Sequence, residues 1–313
     1  MIVRDRPSGL RLFLALRGSV LHRIRWTLLL NILLATLVTL VHGNLFTLKV
    51  TLTAIPFTLI GLPLAIFLGF RNTTAYDRYW EARKLWGELV LRTRNLARQC
   101  LSLLDLPEPP DPARRDDDVR VRMLHRAIAF VHALRLQLRG QRDDALLQRW
   151  TTAQEFERVR TAANPADALM LGMGRDLGDC VRQRRIDPCL AAEIDQTLSA
   201  LTAAAASCER IRHTPIPFSY ALLLHRTAYL YCFLLPFGLV DTTGFMTPFV
   251  VAIVAYTFFG LDALGDEIEE PFGLETNDLP LDTLCRAIEI NLREALGETD
   301  LPPPLYPVNF QLT

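Results

Sequence analysis

Few side chains in this sequence are spaced for chemistry. It holds no Walker loop, HExxH, GxSxG or kinase set. Gly172, Gly174 and Gly178 have the wrong spacing for a dinucleotide loop, and no strand is expected before them. Cys100, Cys180, Cys189, Cys208, Cys232 and Cys285 are scattered, without a CxxC pair or a nearby HxxxH. That argues against a metal centre or a disulfide framework and for a reducing compartment. His125 and His132 lie seven apart on one helical face, which suits packing or solvent exposure better than ligation. The chain is read as a non-enzyme without a cofactor. The spacing that stands out is apolar. Leu62, Ile66 and Phe70 recur every four residues, on one helical face over about 12 Å. Pro63 frees a carbonyl one turn earlier, tolerated in a membrane only where protein or water satisfies it. Gly61 and Gly69 allow close helix approach. Such a stripe either packs or meets lipid, or, in a ring about an axis, forms a narrow constriction that gates by dewetting.

The elements that must position this stripe follow from charge. Although 22% of the 313 residues are charged, residues 26–70 carry only Lys49 and residues 213–260 only Arg226 and Asp241. A uniformly mixed soluble surface is excluded, and a membrane protein with a large charged water-soluble part is implied. The zero net charge is a cancellation. Residues 1–25 carry six arginines against Asp5, residues 71–212 carry 24 basic and 20 acidic residues, and residues 261–313 carry twelve acids against Arg286 and Arg293. The middle is too evenly mixed for a nucleic-acid-binding face.

Four apolar runs are expected to span the bilayer: Trp26–His42, Leu52–Phe70, Ile216–Val240 and Phe245–Leu264. Pro56 and Pro63 interrupt the second. Gly43-Asn44 offers no small-x-small cleavage site, so the first run is expected to be retained. Both short connections, around Lys49 and at Asp241–Gly244, are nearly free of arginine, whereas the N-terminus and the middle are rich in it. The positive-inside rule then places both termini and the middle in the cytoplasm. In the middle, Asp77–Leu104, Val119–Leu138, Thr152–Arg160 and Cys189–Arg212 have helical periodicity, and Leu106–Asp118, with four prolines, is a loop. The expected fold is all-α: four transmembrane helices continuous with a helical cytosolic part. The expected segments are a cytoplasmic 1–25, a membrane pair within 26–70, a helical cytosolic 71–213, a second membrane pair within 214–264 and an acidic cytosolic 265–313.

Several ordered motifs carry a resemblance. After the proline-containing stripe and Gly69-Phe70 comes RNTTAYDRYWEARKLWG, residues 71–87, with Arg78-Tyr79-Trp80. Thr214–Phe218 reads TPIPF at the opening of the third run. Pro271-Phe272-Gly273 follows an acidic cluster and precedes Asp278-Leu279-Pro280. Together, from about residue 5 to about residue 297, these resemble the bestrophin family of ion channels, in its short bacterial branch. The resemblance implies a homopentamer around a central pore in the cell inner membrane, passing inorganic ions passively. It places Leu62, Ile66 and Phe70 at the hydrophobic neck, with an aliphatic residue at 66 where animal members carry an aromatic one. It places Cys189, smaller than the usual Ile or Val, at a second, cytosolic aperture. Animal members open on calcium held by an aspartate run next to the Pro-Phe-Gly motif. Here Leu274–Asp278 stands instead, and Glu267, Glu270, Glu275 and Asp278 are the acidic vestibule or ion-binding candidates, as hard oxygen ligands or as a solvated, helix-capping face.

Chloride is the ion the resemblance implies, with a sodium-selective channel as the alternative. A different class, a membrane-anchored helical scaffold that conducts nothing, also fits the stripe. The neck carries no formal charge, so ion sign must come from backbone dipoles or from charges at its mouths. An acidic tail lining the vestibule would favour cations. Arg71, Arg78 and Arg83 facing the pore would do the opposite. Arg71 and Arg78 share a helical face, with Asp77 beside them able to pair with Arg78 or with another helix.

Overall fold

The computed structural model describes residues 1–3, 9, 18–41, 44–45, 48–49, 53–106, 109–112 and 117–313. His42 and Leu52, at the edges of two expected runs, lie outside the described residues, as do Arg4, Arg6, Arg11, Arg17 and part of the Leu106–Asp118 loop. The chain divides into two compact units. One comprises Arg4–Tyr79 with Pro215–Glu270; the other comprises Met1–Val3, Trp80–Thr214 and Pro271–Thr313.

The first unit holds the apolar helices. Helix α1 is Leu21–Leu40, starting before the expected Trp26. A two-residue antiparallel pairing, β1 (Asn44–Leu45) with β2 (Leu48–Lys49), turns the chain where only a loop was expected. Helix α2, Ala54–Leu103, is a single 50-residue helix. The sequence marked a membrane run Leu52–Phe70 interrupted by prolines and a helical run Asp77–Leu104, and one helix carries both. Pro56 lies in the first turn, where its missing N–H would have no partner anyway, and Pro63 is carried inside the helix. Helix α8, Phe218–Thr243, and helix α9, Thr247–Glu269, are separated by a single 3₁₀ turn, Gly244–Met246. Gly244 takes φ 53°, ψ −126°, which side chains avoid. Among the described residues, Leu21–Leu40, Ile55–Leu103 and Phe218–Glu269 are long and apolar enough to cross a membrane.

These helices close on small contact surfaces. Ile24, Cys232, Ala255 and Phe259 pack together, as do Ala35, Phe57, Leu235 and Val251, and Leu64, Leu68, Leu224 and Ala228. The approach of α2 to α8 needs Gly61, because a Cβ there would stand 2.9 Å from the Tyr231 hydroxyl. The buried amide of Asn31 donates to the Cys232 carbonyl at 2.9 Å, satisfying a polar group inside the bundle.

The second unit is built around α3, Val119–Leu138, nearly all of whose side chains are buried. Helices α4 (Asp144–Trp150), α5 (Ala153–Thr161), α6 (Pro165–Arg182), α7 (Pro188–His213) and α10 (Leu281–Ala295) complete it. Their starts are written locally. Asp118, Asp143, Thr152, Asn164 and Asp187 each accept a backbone N–H of the following turn, and Pro165 and Pro188 open their helices. His125 and His132 are both buried, His125 edge-on to Trp150 and His132 3.8 Å from Glu289, so the packing reading of this pair holds.

Candidate pore-lining site

Helix α2 has two faces in the first unit. Phe57, Gly61, Leu64, Leu68, Arg71 and Ala75, spaced four and three apart, are all buried. The opposite side carries the predicted stripe. Leu62 is 67% exposed, Ile66 47% and Phe70 61%. A residue fully sheltered in the bundle would read near zero, so the stripe is not packing material within this chain. The hydroxyls that follow turn back on their own helix. Thr73 donates to the Gly69 carbonyl and Thr74 to the Phe70 carbonyl, both at 3.0 Å.

The arginines after the neck point the other way. Arg71 is buried, and its guanidinium pairs with Asp262 at 2.8 Å, with Asp266, and more loosely with Glu269 at 3.8 Å. Arg78 donates to the Glu269 carbonyl at 3.2 Å. On the same cluster His225 Nδ1 lies 2.6 Å from Asp262, and Glu269 accepts the Ile216 N–H at 2.9 Å at the entry to α8. Neither Arg71 nor Arg78 shares the stripe's face. Asp262, Asp266, Glu269 and His225 were not singled out from sequence. Part of their signal was present: carboxylates at i, i+4 and i+7 on the end of an apolar helix require a partner.

The acidic tail is likewise partly neutralised. Asp282 pairs with Arg135 and, at 2.7 Å, with Arg139; Glu289 and Glu298 pair with Arg293 at 3.3 and 2.7 Å. Glu267 is buried and Glu270 exposed, both in the first unit. In the second, Glu275 is exposed and Asp278 is buried, its Oδ2 accepting the Glu275 N–H at 2.7 Å. Among the described residues no three His, Cys, Asp or Glu side chains gather as a possible metal site. Cys189 is exposed in the first turn of α7, its N–H held by the Asp187 carboxylate at 2.8 Å; the other five cysteines are buried.

The long apolar helices make this a helical membrane protein, and comparison with known proteins, which include anion channel-forming relatives, puts it among channels rather than enzymes. The family described as Bacterial/Fungal Bestrophin protein matches residues 1–294, and the chain belongs to that family. It is 48% identical over 308 residues to the voltage-dependent anion channel-forming protein mll4386 of Mesorhizobium japonicum, covering 98% of this chain and 95% of that one. It is 41% identical to the voltage-dependent anion channel-forming protein YneE of Escherichia coli K12, over the full length of both. Among solved structures, a bacterial bestrophin homologue from Klebsiella pneumoniae superposes with a TM-score of 0.81 at 36% identity, covering 90% of this chain and 100% of that one.

Proposed function

We propose that five copies of this chain assemble about an axis lined by the exposed stripe of α2, forming a passive anion channel whose gate is the apolar neck of Leu62, Ile66 and Phe70. The observation that carries this is the two-faced character of α2. A stripe meeting only lipid, like the exposed Leu223, Leu230 and Phe249 of α8 and α9, has no reason to run on into Thr73 and Asp77. A stripe facing an ion path does. An uncharged apolar ring holds water out of a narrow pore until it widens. The names of the relatives support the anion assignment, with chloride the abundant ion that fits it.

In this reading the chain crosses the inner membrane four times, α8 and α9 counted separately, with both termini in the cytoplasm. Cys189 lines the cytosolic aperture, and Glu267, Glu270, Glu275 and Asp278 act as vestibule charges and helix-capping groups without calcium. Purified protein in a planar bilayer under an asymmetric salt gradient tests it. The expected result is a current reversing toward the chloride potential. Absence of current from correctly assembled protein favours the scaffold, and reversal toward the sodium potential replaces anion with cation. Crosslinking in detergent should stop at five copies; a ladder ending at two contradicts the ring.

A further inference from the structure

We infer that Asp77 is the residue that restrains anion preference in this channel, a fixed negative charge on the path just beyond the neck. The inference rests on the proposed lining of that path by α2.

The position follows from helix geometry. Asp77 comes fifteen residues after Leu62, a net rotation of about 60°, which falls between Ile66 at about 40° and Phe70 at about 80°. It stands about 10 Å along the axis beyond Phe70. Its side chain is exposed, and among the described residues it makes no hydrogen bond or ion pair. Every neighbouring polar group is committed elsewhere. The Thr73 and Thr74 hydroxyls serve backbone carbonyls of their own helix, Arg71 is held by Asp262, Asp266 and Glu269, and Arg78 serves the Glu269 carbonyl. Asp77 is therefore the first uncommitted charge beyond the neck on that face. Lys84, seven residues farther along the same helix, carries the opposite charge about 10 Å away, roughly one screening length at physiological salt, so the two act on successive stretches of the path.

The size of the effect follows from Coulomb's law. At about 7 Å in water, a unit charge changes the local concentration of a monovalent ion about threefold. The change is opposite for the two signs, so a single copy's charge moves a permeability ratio about sevenfold, and the five copies of the ring make that a lower bound. The test is Asp77→Asn in the full chain, recorded in planar bilayers under asymmetric sodium chloride beside the parent, Asp77→Glu and a remote control, Asp144→Asn. Asp77→Asn should raise the chloride-to-sodium permeability ratio at least about sevenfold, while Asp77→Glu and Asp144→Asn stay at the parent value. An unchanged reversal potential in Asp77→Asn, with current intact, overturns the inference and leaves the channel reading standing. A parent that assembles and carries no current defeats the channel reading itself. Aggregation of both Asp77→Asn and Asp77→Ser also overturns the inference, because an uncommitted exposed side chain is replaceable.

Discussion

Removing Arg71 should destabilise the first unit more than removing any one of its acidic partners. The Arg71 side chain is 2% exposed and Asp262 is 4% exposed, whereas Asp266 is 55% exposed. Arg71→Gln leaves Asp262 buried, with His225 as its remaining side-chain partner, and breaking a buried pair in this way costs about 3–5 kcal/mol. Asp262→Asn is milder, at about 1–2 kcal/mol, because Arg71 keeps Asp266 and Glu269 and the amide oxygen still accepts a hydrogen bond. Asp266→Asn should cost less than about 1 kcal/mol, since water already screens that contact. At about 2–4 °C per kcal/mol, Arg71→Gln should lose roughly 6–20 °C and Asp266→Asn less than about 4 °C. The assay is heating in detergent followed by size exclusion of the assembled fraction. Pairing Arg71→Met with Asp262→Leu should recover most of the loss, because removing both charges also removes the desolvation penalty. An Arg71→Gln variant that melts with the parent, or an Asp266→Asn variant that melts as low as Arg71→Gln, refutes the assignment of Arg71 as a buried structural charge.

Two further expectations concern the second unit. Burial holds the His132 imidazole below its ordinary 6.5, Glu289 opposing and Arg135 and Arg286 reinforcing. The unfolded chain then binds the proton first on acidification, so stability is full above about pH 6.5 and falls until folded His132 itself titrates. His132→Gln should flatten the loss of melting temperature between about pH 7 and 5; a slope equal to the parent's contradicts this. Burial also pushes the Cys208 and Cys285 thiols up to about 12, while Cys189 is exposed. A sulfonate-bearing thiol reagent should label one cysteine per native chain and reduce the current, and Cys189→Ala should abolish both effects. Labelling without loss of current removes Cys189 from the ion path.

Local signals were legible in the sequence. The side chains of Asp118, Thr152, Asn164 and Asp187 cap the helices that follow them, because capping is decided within four residues. The face of the stripe was legible too, since rotation per residue is fixed. That the helix carrying the stripe through Pro63 runs on unbroken to Leu103 was less legible, because proline's cost depends on what satisfies the freed carbonyl. The partners of Arg71 lie about 190 positions away, and no periodicity reports a pairing at that distance. For the same reason net charge by segment misled: it counted Arg71 and Arg78 as possible pore charges, and it counted Asp262, Asp266 and Asp282 as uncompensated acid.

The claim that the exposed face of α2 lines and gates the path is tested most directly by current through the protein with Leu62, Ile66 and Phe70 replaced together by alanine. Shortening all three side chains widens and wets the neck. The account predicts a larger current than the parent at equal protein, without an added ligand. A triple variant that assembles as the parent does and conducts no more than it contradicts the account and places the gate elsewhere.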